Sequence, residues 1–300
     1  MNQRRRLSAA SLFSLALFVL PLVAMAVLRV LTKNPAQGIQ ITGAQIFFTL
    51  PMPIQDLVIT EAQINSWLVV LSLWGLCLFL TRELKVAGGG ARQHLAEWIV
   101  EKTDALVKDG MGDYFMRFSP FIAAILGLSG FSSLSSLLGA YPPTSDLNVV
   151  AGWAILVFIL ITYYKSKCGP ISYLKSFSQP VAFLTPLNVI SEVATPLSMA
   201  FRHYGNVLSG SVIGVLVATA LQGLSALVLG WLPGVLGQFP LLQVGLPAIL
   251  SLYFDLFSSL LQAYIFAMLT MMYIAGAFPM EDYLAQKEKR KKKTISGGNE

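Results

Sequence analysis

The sequence predicts an all-α polytopic membrane protein with six transmembrane segments, and three observations carry that prediction. First, 55% of the 300 residues are hydrophobic and only 12% are charged, about half the roughly 25% charge that coats a water-facing surface. Second, six apolar stretches, at 8–30, 66–81, 118–140, 148–164, 183–230 and 245–279, approach or exceed the roughly 20 residues of a membrane span. Third, the basic residues fall on alternate sides of these stretches. With the N-terminus inside, the inner side holds three at Arg4–Arg6, six between Arg82 and Arg117, three at Lys165, Lys167 and Lys175, and six between Lys287 and Lys293. The outer side holds Arg29 and Lys33 alone, and this asymmetry predicts that both termini are cytoplasmic.

Taken in order, residues 1–31 form an N-terminal transmembrane helix. Arg4–Arg6, an apolar run and Ala24-Met25-Ala26 also fit a secretory signal with its cleavage site, which would leave five spans. The run is longer than a signal core and carries Pro21, which favours a retained helix. Residues 32–65 are a polar, proline-containing extracytoplasmic segment, 66–280 the core and 281–300 a basic cytoplasmic tail. On the inner side after the second span, Gly88-Gly89-Gly90 precedes an amphipathic run from Ala91 to Val107 with Leu95, Trp98, Ile99 and Leu106. No Gly-Lys-Ser/Thr follows the glycines, so they read as a joint before an interfacial helix and not as a phosphate cradle. His94 and Glu97 have metal-ligand spacing without a third ligand, and Cys77 and Cys168 are too few for a disulfide framework. The net charge of +6 lies on span flanks, which argues against nucleic-acid binding. No cofactor, metal or catalytic residue is expected.

Charge inside a bilayer costs about 2.5–3.5 kcal/mol per residue even on the lenient insertion scale, so it marks function or a buried ion pair. Between Lys175 and Glu281 the formally charged residues are Glu192, Arg202 and Asp255, joined by His203. Thr195, Ser198, Asn206 and Ser209 share the helical face of Arg202, and Ser251, Ser258, Ser259 and Gln262 that of Asp255. Two such helices side by side enclose a wetted path, and Gly205, Gly210 and Gly214 allow close approach. Arginine keeps its proton at all working pH, so Arg202 is a fixed positive charge. It can draw a carboxylate from a moving partner and release that group's proton.

Three blocks resemble subunit a of the F-type ATP synthases. They are Pro143-Thr144-Ser145-Asp146-Leu147-Asn148, Pro186-Leu187-Asn188 through Glu192 and Pro196 to Phe201-Arg202-His203-Tyr204-Gly205-Asn206, and Leu261-Gln262-Ala263-Tyr264-Ile265-Phe266. The similarity covers about residues 45–280. It implies that Arg202 is the family's essential arginine, that Gln262 faces it, and that Asn206 is the polar residue one turn on. It places Glu192 in the cytoplasmic half-channel. Ser211 and Asp255 stand at the paired positions of the external half-channel, where Ser211 is neutral and leaves Asp255 the only carboxylate. His203 stands where the family commonly has an apolar residue. The resemblance also implies long, tilted fifth and sixth helices, in agreement with the excess length of 183–230. It further implies a bacterial-type cell membrane, a ring of c subunits, a b-type peripheral stalk, surrounding lipid, and indirect coupling to a catalytic head.

From the residues alone, a second reading stays open: a polytopic transporter using Arg202 and Asp255 to hold a solute at the midplane. An intramembrane hydrolase would need a paired nucleophile and base or a metal cluster, and neither spacing occurs.

Overall fold

Among the described residues, six helices are long and apolar enough to cross a membrane. The computed structural model describes residues 9–32, 43–53, 56–86, 89–169, 173, 177, 182–229, 245–280 and 283–284. Arg4–Arg6, Gly88, Lys175, the basic tail beyond Leu284 and the side chain of Ser251 lie outside this description.

The first two spans, α1 (Ala9–Thr32) and α2 (Glu61–Thr81), run antiparallel and touch along their whole length. Gly75 permits this, because a Cβ there would lie 2.6 Å from the Leu17 carbonyl carbon and the Phe18 nitrogen. Nearby, Ser72 Oγ donates to the Phe18 carbonyl at 2.8 Å. At the other end Arg29 pairs with the buried Glu61 at 3.3 Å. Where lipid is as apolar as leucine, close small-residue packing and interhelical polar contacts hold helices together. Pro21 sits inside α1 without ending it.

Between these helices, β1 (Ile46–Leu50) and β2 (Leu57–Thr60) form an antiparallel hairpin. Reading 32–65 as a polar segment misses it. Its signal is the pair of β-branched and aromatic runs, Ile46-Phe47-Phe48-Thr49 and Val58-Ile59-Thr60, on either side of Pro51 and Pro53. Thr60 then accepts a hydrogen bond from the Gln63 N–H at 3.4 Å and caps α2. The helix therefore starts five residues before its apolar run at 66–81, with polar Glu61 and Asn65 buried by their partners.

At the opposite end, α3 (Ala91–Met111) exposes Leu95, Trp98 and Ile99 and buries Val107 and Met111. His94 and Glu97 form an exposed pair at 3.6 Å on its surface. A 3-10 segment, Asp113–Phe118, leads into α4 (Ser119–Leu134), and a second, Ser135–Leu138, follows it. Asp146 caps α5 (Leu147–Lys165), its Oδ1 accepting from the Asn148 N–H at 2.9 Å. Then comes α6 (Thr185–Leu229), 45 residues with Pro196 inside. At about 1.5 Å per residue it is roughly 68 Å long, more than twice the roughly 30 Å hydrocarbon core. The last rod is continuous: α7 (Leu246–Leu252), a π-helical segment Tyr253–Ser258, and α8 (Ser259–Ala277).

The core lies where α3, α4, α5 and α8 meet, built on Val107, Ile122, Val157, Phe266, Met271 and Ile274. The long helix α6 leans on it through Met199. Only 6% of the most apolar stretch of α6 is buried within the chain, against 39% for the span that ends in α8. The Lys167 ammonium, just past α5, lies 4.9 Å over the Tyr164 ring and within 5.9 Å of Tyr114, Tyr163, Phe278 and Tyr283. Burial works against that charge, but the Tyr114, Tyr164 and Tyr163 phenols outweigh it and push the Lys167 pKa up. The cage ties α5, the segment before α4 and the end of α8 together.

Two outcomes follow from this packing. The intact mass of the purified subunit is expected to include Ala9–Thr32, because α2 is shaped to receive α1; a mass short of residues up to Ala26 would contradict it. Lys167→Gln is expected to lower thermal stability by about 1 kcal/mol, with Lys167→Arg close to wild type; equal melting of all three would remove the cage's role.

Candidate functional site

Arg202 stands near the middle of α6 and is exposed. Among the described residues it has no hydrogen bond and no ion pair. The next residue, His203, is fully buried. The rotation of α6 is thus fixed with His203 turned into the bundle and Arg202 turned out. A guanidinium keeps its proton, so Arg202 is a fixed positive charge on this face of α6.

Two contacts hold that rotation. One turn past Arg202, Asn206 and Ser258 bond reciprocally: Asn206 Nδ2 donates to the Ser258 carbonyl at 3.3 Å, and Ser258 Oγ donates to Asn206 Oδ1 at 3.0 Å. Two turns past it, α6 meets the π segment at Gly210, where a Cβ would lie 3.0 Å from Phe254 Cβ. Glycine allows this approach without displacing the ring.

The π segment changes the expected face of the last rod. Regular helical spacing puts Asp255 and Gln262 on one face, but the wider π turn intervenes between them. Gln262 is buried, whereas Asp255 is half-buried and comes within interaction reach of Ser136 in the 3-10 turn after α4. The two residues face different surroundings. No hydrogen bond among the described residues joins Gln262 to Arg202. Ser198 is exposed one turn before Arg202. Ser211 is also exposed, and its hydroxyl returns to the Leu208 carbonyl of its own helix at 2.8 Å, without a link to Asp255.

Glu192 is ion-paired with Lys165 of α5. The Tyr173 phenol lies alongside, its pKa raised first by burial and then by the Glu192 charge, which keeps it a neutral donor. This pair borders a cavity of about 200 Å³ with Thr195 and Tyr273. A larger cavity, about 730 Å³, opens under the hairpin and is lined by Asp56, Thr60, Tyr141, Asp146, Asn148 and Tyr204. Tyr204 brings it to α6 two residues from Arg202. The two cavities lie on opposite sides of Arg202 along α6.

The sequence blocks hold this arrangement in place. Thr144 is buried against Ser133 at 3.2 Å, and Asn188 Nδ2 donates to the Phe177 carbonyl at 2.7 Å. Phe266 packs edge-on to His203 with centroids 5.6 Å apart. Residue-by-residue reading missed Ser129, Ser132, Ser133 and Ser136. Their signal was available, since offsets of three, four and seven mark one helical face within an apolar span. In the sequence Lys165 reads only as an orientation charge.

These features define a polytopic membrane protein that holds an exposed positive charge, without a partner among the described residues, between two polar cavities along one helix. Residues 63–275 match the family model described as ATP synthase A chain, and the chain belongs to that family, a membrane-sector subunit of the ATP synthase complex. It is 28% identical over 237 residues to an ATP synthase subunit a of Legionella pneumophila (strain Paris), covering 78% of this chain and 94% of the relative. It is 31% identical over 218 residues to ATP synthase subunit a 1 of Syntrophotalea carbinolica, covering 71% and 83%. For the Macrococcus caseolyticus ATP synthase subunit a the figures are 29% over 254 residues, 81% and 96%. Helix α1 and the hairpin precede the matched region.

A double-mutant cycle on Asn206→Ala and Ser258→Ala, read by thermal denaturation of the purified complex, is expected to give a coupling of about 0.6–1.7 kcal/mol. Additive effects would mean that the pair does not set the rotation of α6.

Proposed function

We propose that this subunit is the stator of the rotary membrane sector, with two half-paths for protons that meet a rotating c-ring at Arg202. The observation that carries this reading is Arg202, exposed and without a partner among the described residues, with a polar cavity on either side of it along α6. By the distribution of basic residues, the hairpin side is extracytoplasmic, the Lys165–Glu192 side cytoplasmic, and both termini cytoplasmic. Residues 66–280 act as the conducting core, and 281–300 as a cytoplasmic tail.

In this mechanism a proton enters under the hairpin, passes Asp255 and neutralises a ring carboxylate that has just left Arg202. Neutral, that carboxylate can travel through lipid, because the desolvation cost of its charge is gone. After nearly a full turn it meets the path beside Glu192 and gives the proton to the cytoplasm. Attraction to Arg202 favours the ionised form and drives this release. Ser198 and Asn206 flank the contact, Gln262 supports it from behind, and neutral Ser211 leaves Asp255 as the only carboxylate of the external pair. The membrane potential contributes about 2.3 kcal/mol per charge per 100 mV, and rotation carries it to the catalytic head while a b-type stalk holds this subunit still. A transporter that clamps solute between Arg202 and Asp255 is disfavoured, because among the described residues no contact joins the two.

In inverted membrane vesicles, Arg202→Ala is expected to abolish ATP-driven proton pumping, and retained pumping would sink the proposal. Glu192→Gln is expected to slow pumping without abolishing it, since Tyr173 and water still line the cytoplasmic path; an unchanged rate would remove Glu192 from that path.

A further inference from the structure

A second polar track lies inside the chain, on the bundle-facing side of α6 next to the face that carries Arg202. Ser129, Ser132 and Ser133 are each at most 2% exposed and share one face of α4, continued by Ser136. Hydroxyls buried at membrane depth cost free energy unless partnered, and alanine would fill the same space. Their partners form a sequence. Ser133 Oγ lies 3.2 Å from the fully buried Thr144 Oγ1, which belongs to the turn beside the hairpin cavity. One helical turn deeper, Ser129 Oγ lies 3.5 Å from His203 Nε2, at the outer edge of hydrogen-bond range. Ser129 and Ser133 are i,i+4 neighbours, about 5–6 Å apart at Cβ, a separation short enough for one water to span.

His203 ends the track. It is fully buried, edge-on to Trp153 and Phe266 with centroids 6.1 and 5.6 Å away. Its Nδ1 is buried without a hydrogen-bond partner among the described residues. Packing alone does not ask for such a nitrogen, since an apolar side chain would fill the pocket at lower cost. An imidazole can accept a proton at one nitrogen while releasing one from the other. We propose that the Thr144–Ser133–Ser129 track is a second arm of the extracytoplasmic proton path and that His203 is its terminal relay, delivering protons beside Arg202. This rests on reading the subunit as a rotor-facing stator.

The proton balance closes. Ser129 passes its hydroxyl proton to Nε2 and takes another, through water, from the Ser133–Thr144 side. Nδ1 releases its proton through water to the rotor carboxylate. The imidazole is neutral before and after, and a water-mediated proton transfer from Nε2 to Nδ1 restores the starting tautomer. One proton has crossed from the hairpin cavity to the carboxylate, and no charge is left in the core.

The test uses the whole complex in proteoliposomes, then the same vesicles stripped of the catalytic head, with passive proton flux driven by a potassium gradient and valinomycin. His203→Leu, His203→Gln and Ser129→Ala are each expected to cut passive flux by roughly tenfold, less than the 10²–10⁴ of a lone proton-transfer group because the Asp255 arm remains. Glutamine keeps a polar side chain but cannot exchange tautomers. Full flux in His203→Gln would therefore assign His203 to packing and overturn the relay, as would wild-type flux in His203→Leu or Ser129→Ala. If His203→Leu fails to assemble, the other two variants decide alone. Arg202→Ala separates the two levels: if it still pumps, the stator reading falls, whereas inactive Arg202→Ala beside normally conducting His203 and Ser129 variants removes only the relay.

Discussion

A positive charge that cannot be discharged, held on the open face of a helix in a membrane protein, is the constraint on which the rest of the structure depends. Arg202 has no partner among the described residues, and lipid supplies none. Its orientation therefore has to be enforced from the other side of α6. His203 is locked inward between Trp153 and Phe266, Asn206 and Ser258 exchange hydrogen bonds, and Gly210 lets Phe254 close against the helix. All three contacts lie within about two turns of Arg202. Rotating α6 to hide the charge would break each of them.

The π segment gives the last rod two jobs at once. Its wider turn brings Asp255 toward Ser136 and the hairpin side, while the regular helix beyond it turns Gln262 and Phe266 into the core. A continuous α-helix would keep Asp255 and Gln262 on one face and force both toward the same environment. One cavity meets α6 at Glu192 and Thr195 and the other at Tyr204, with Arg202 between them in the helix. The proposed stator would need such a separation, since a continuous wet channel would let ions pass without turning a rotor.

The broad design was legible in the sequence because it follows from summed quantities: six apolar runs, basic residues on alternate loops, and so few intramembrane charges that Arg202, Glu192 and Asp255 stood out. What the sequence concealed came from pairings across distance or from broken periodicity. Lys165 reads as a flank charge until α5 brings it to Glu192. Gln262 and Asp255 share a face only if the helix between them is regular, and it is not. Strands of four and five residues beside Pro51 and Pro53 leave little trace in a pattern dominated by apolar spans. The serine face of α4 was readable by its spacing, but serine in a membrane helix can also satisfy itself on its own backbone, so only the fold shows which hydroxyls meet Thr144 and His203.

The central claim is that the partner of Arg202 is a carboxylate on a second, moving chain. An experimental structure of the assembled complex in lipid tests this most directly. The account predicts the Arg202 guanidinium facing the rotor, with a ring carboxylate within about 4 Å or one water away at the closest approach. Arg202 turned to lipid, or neutralised by a carboxylate of this same subunit, would contradict it.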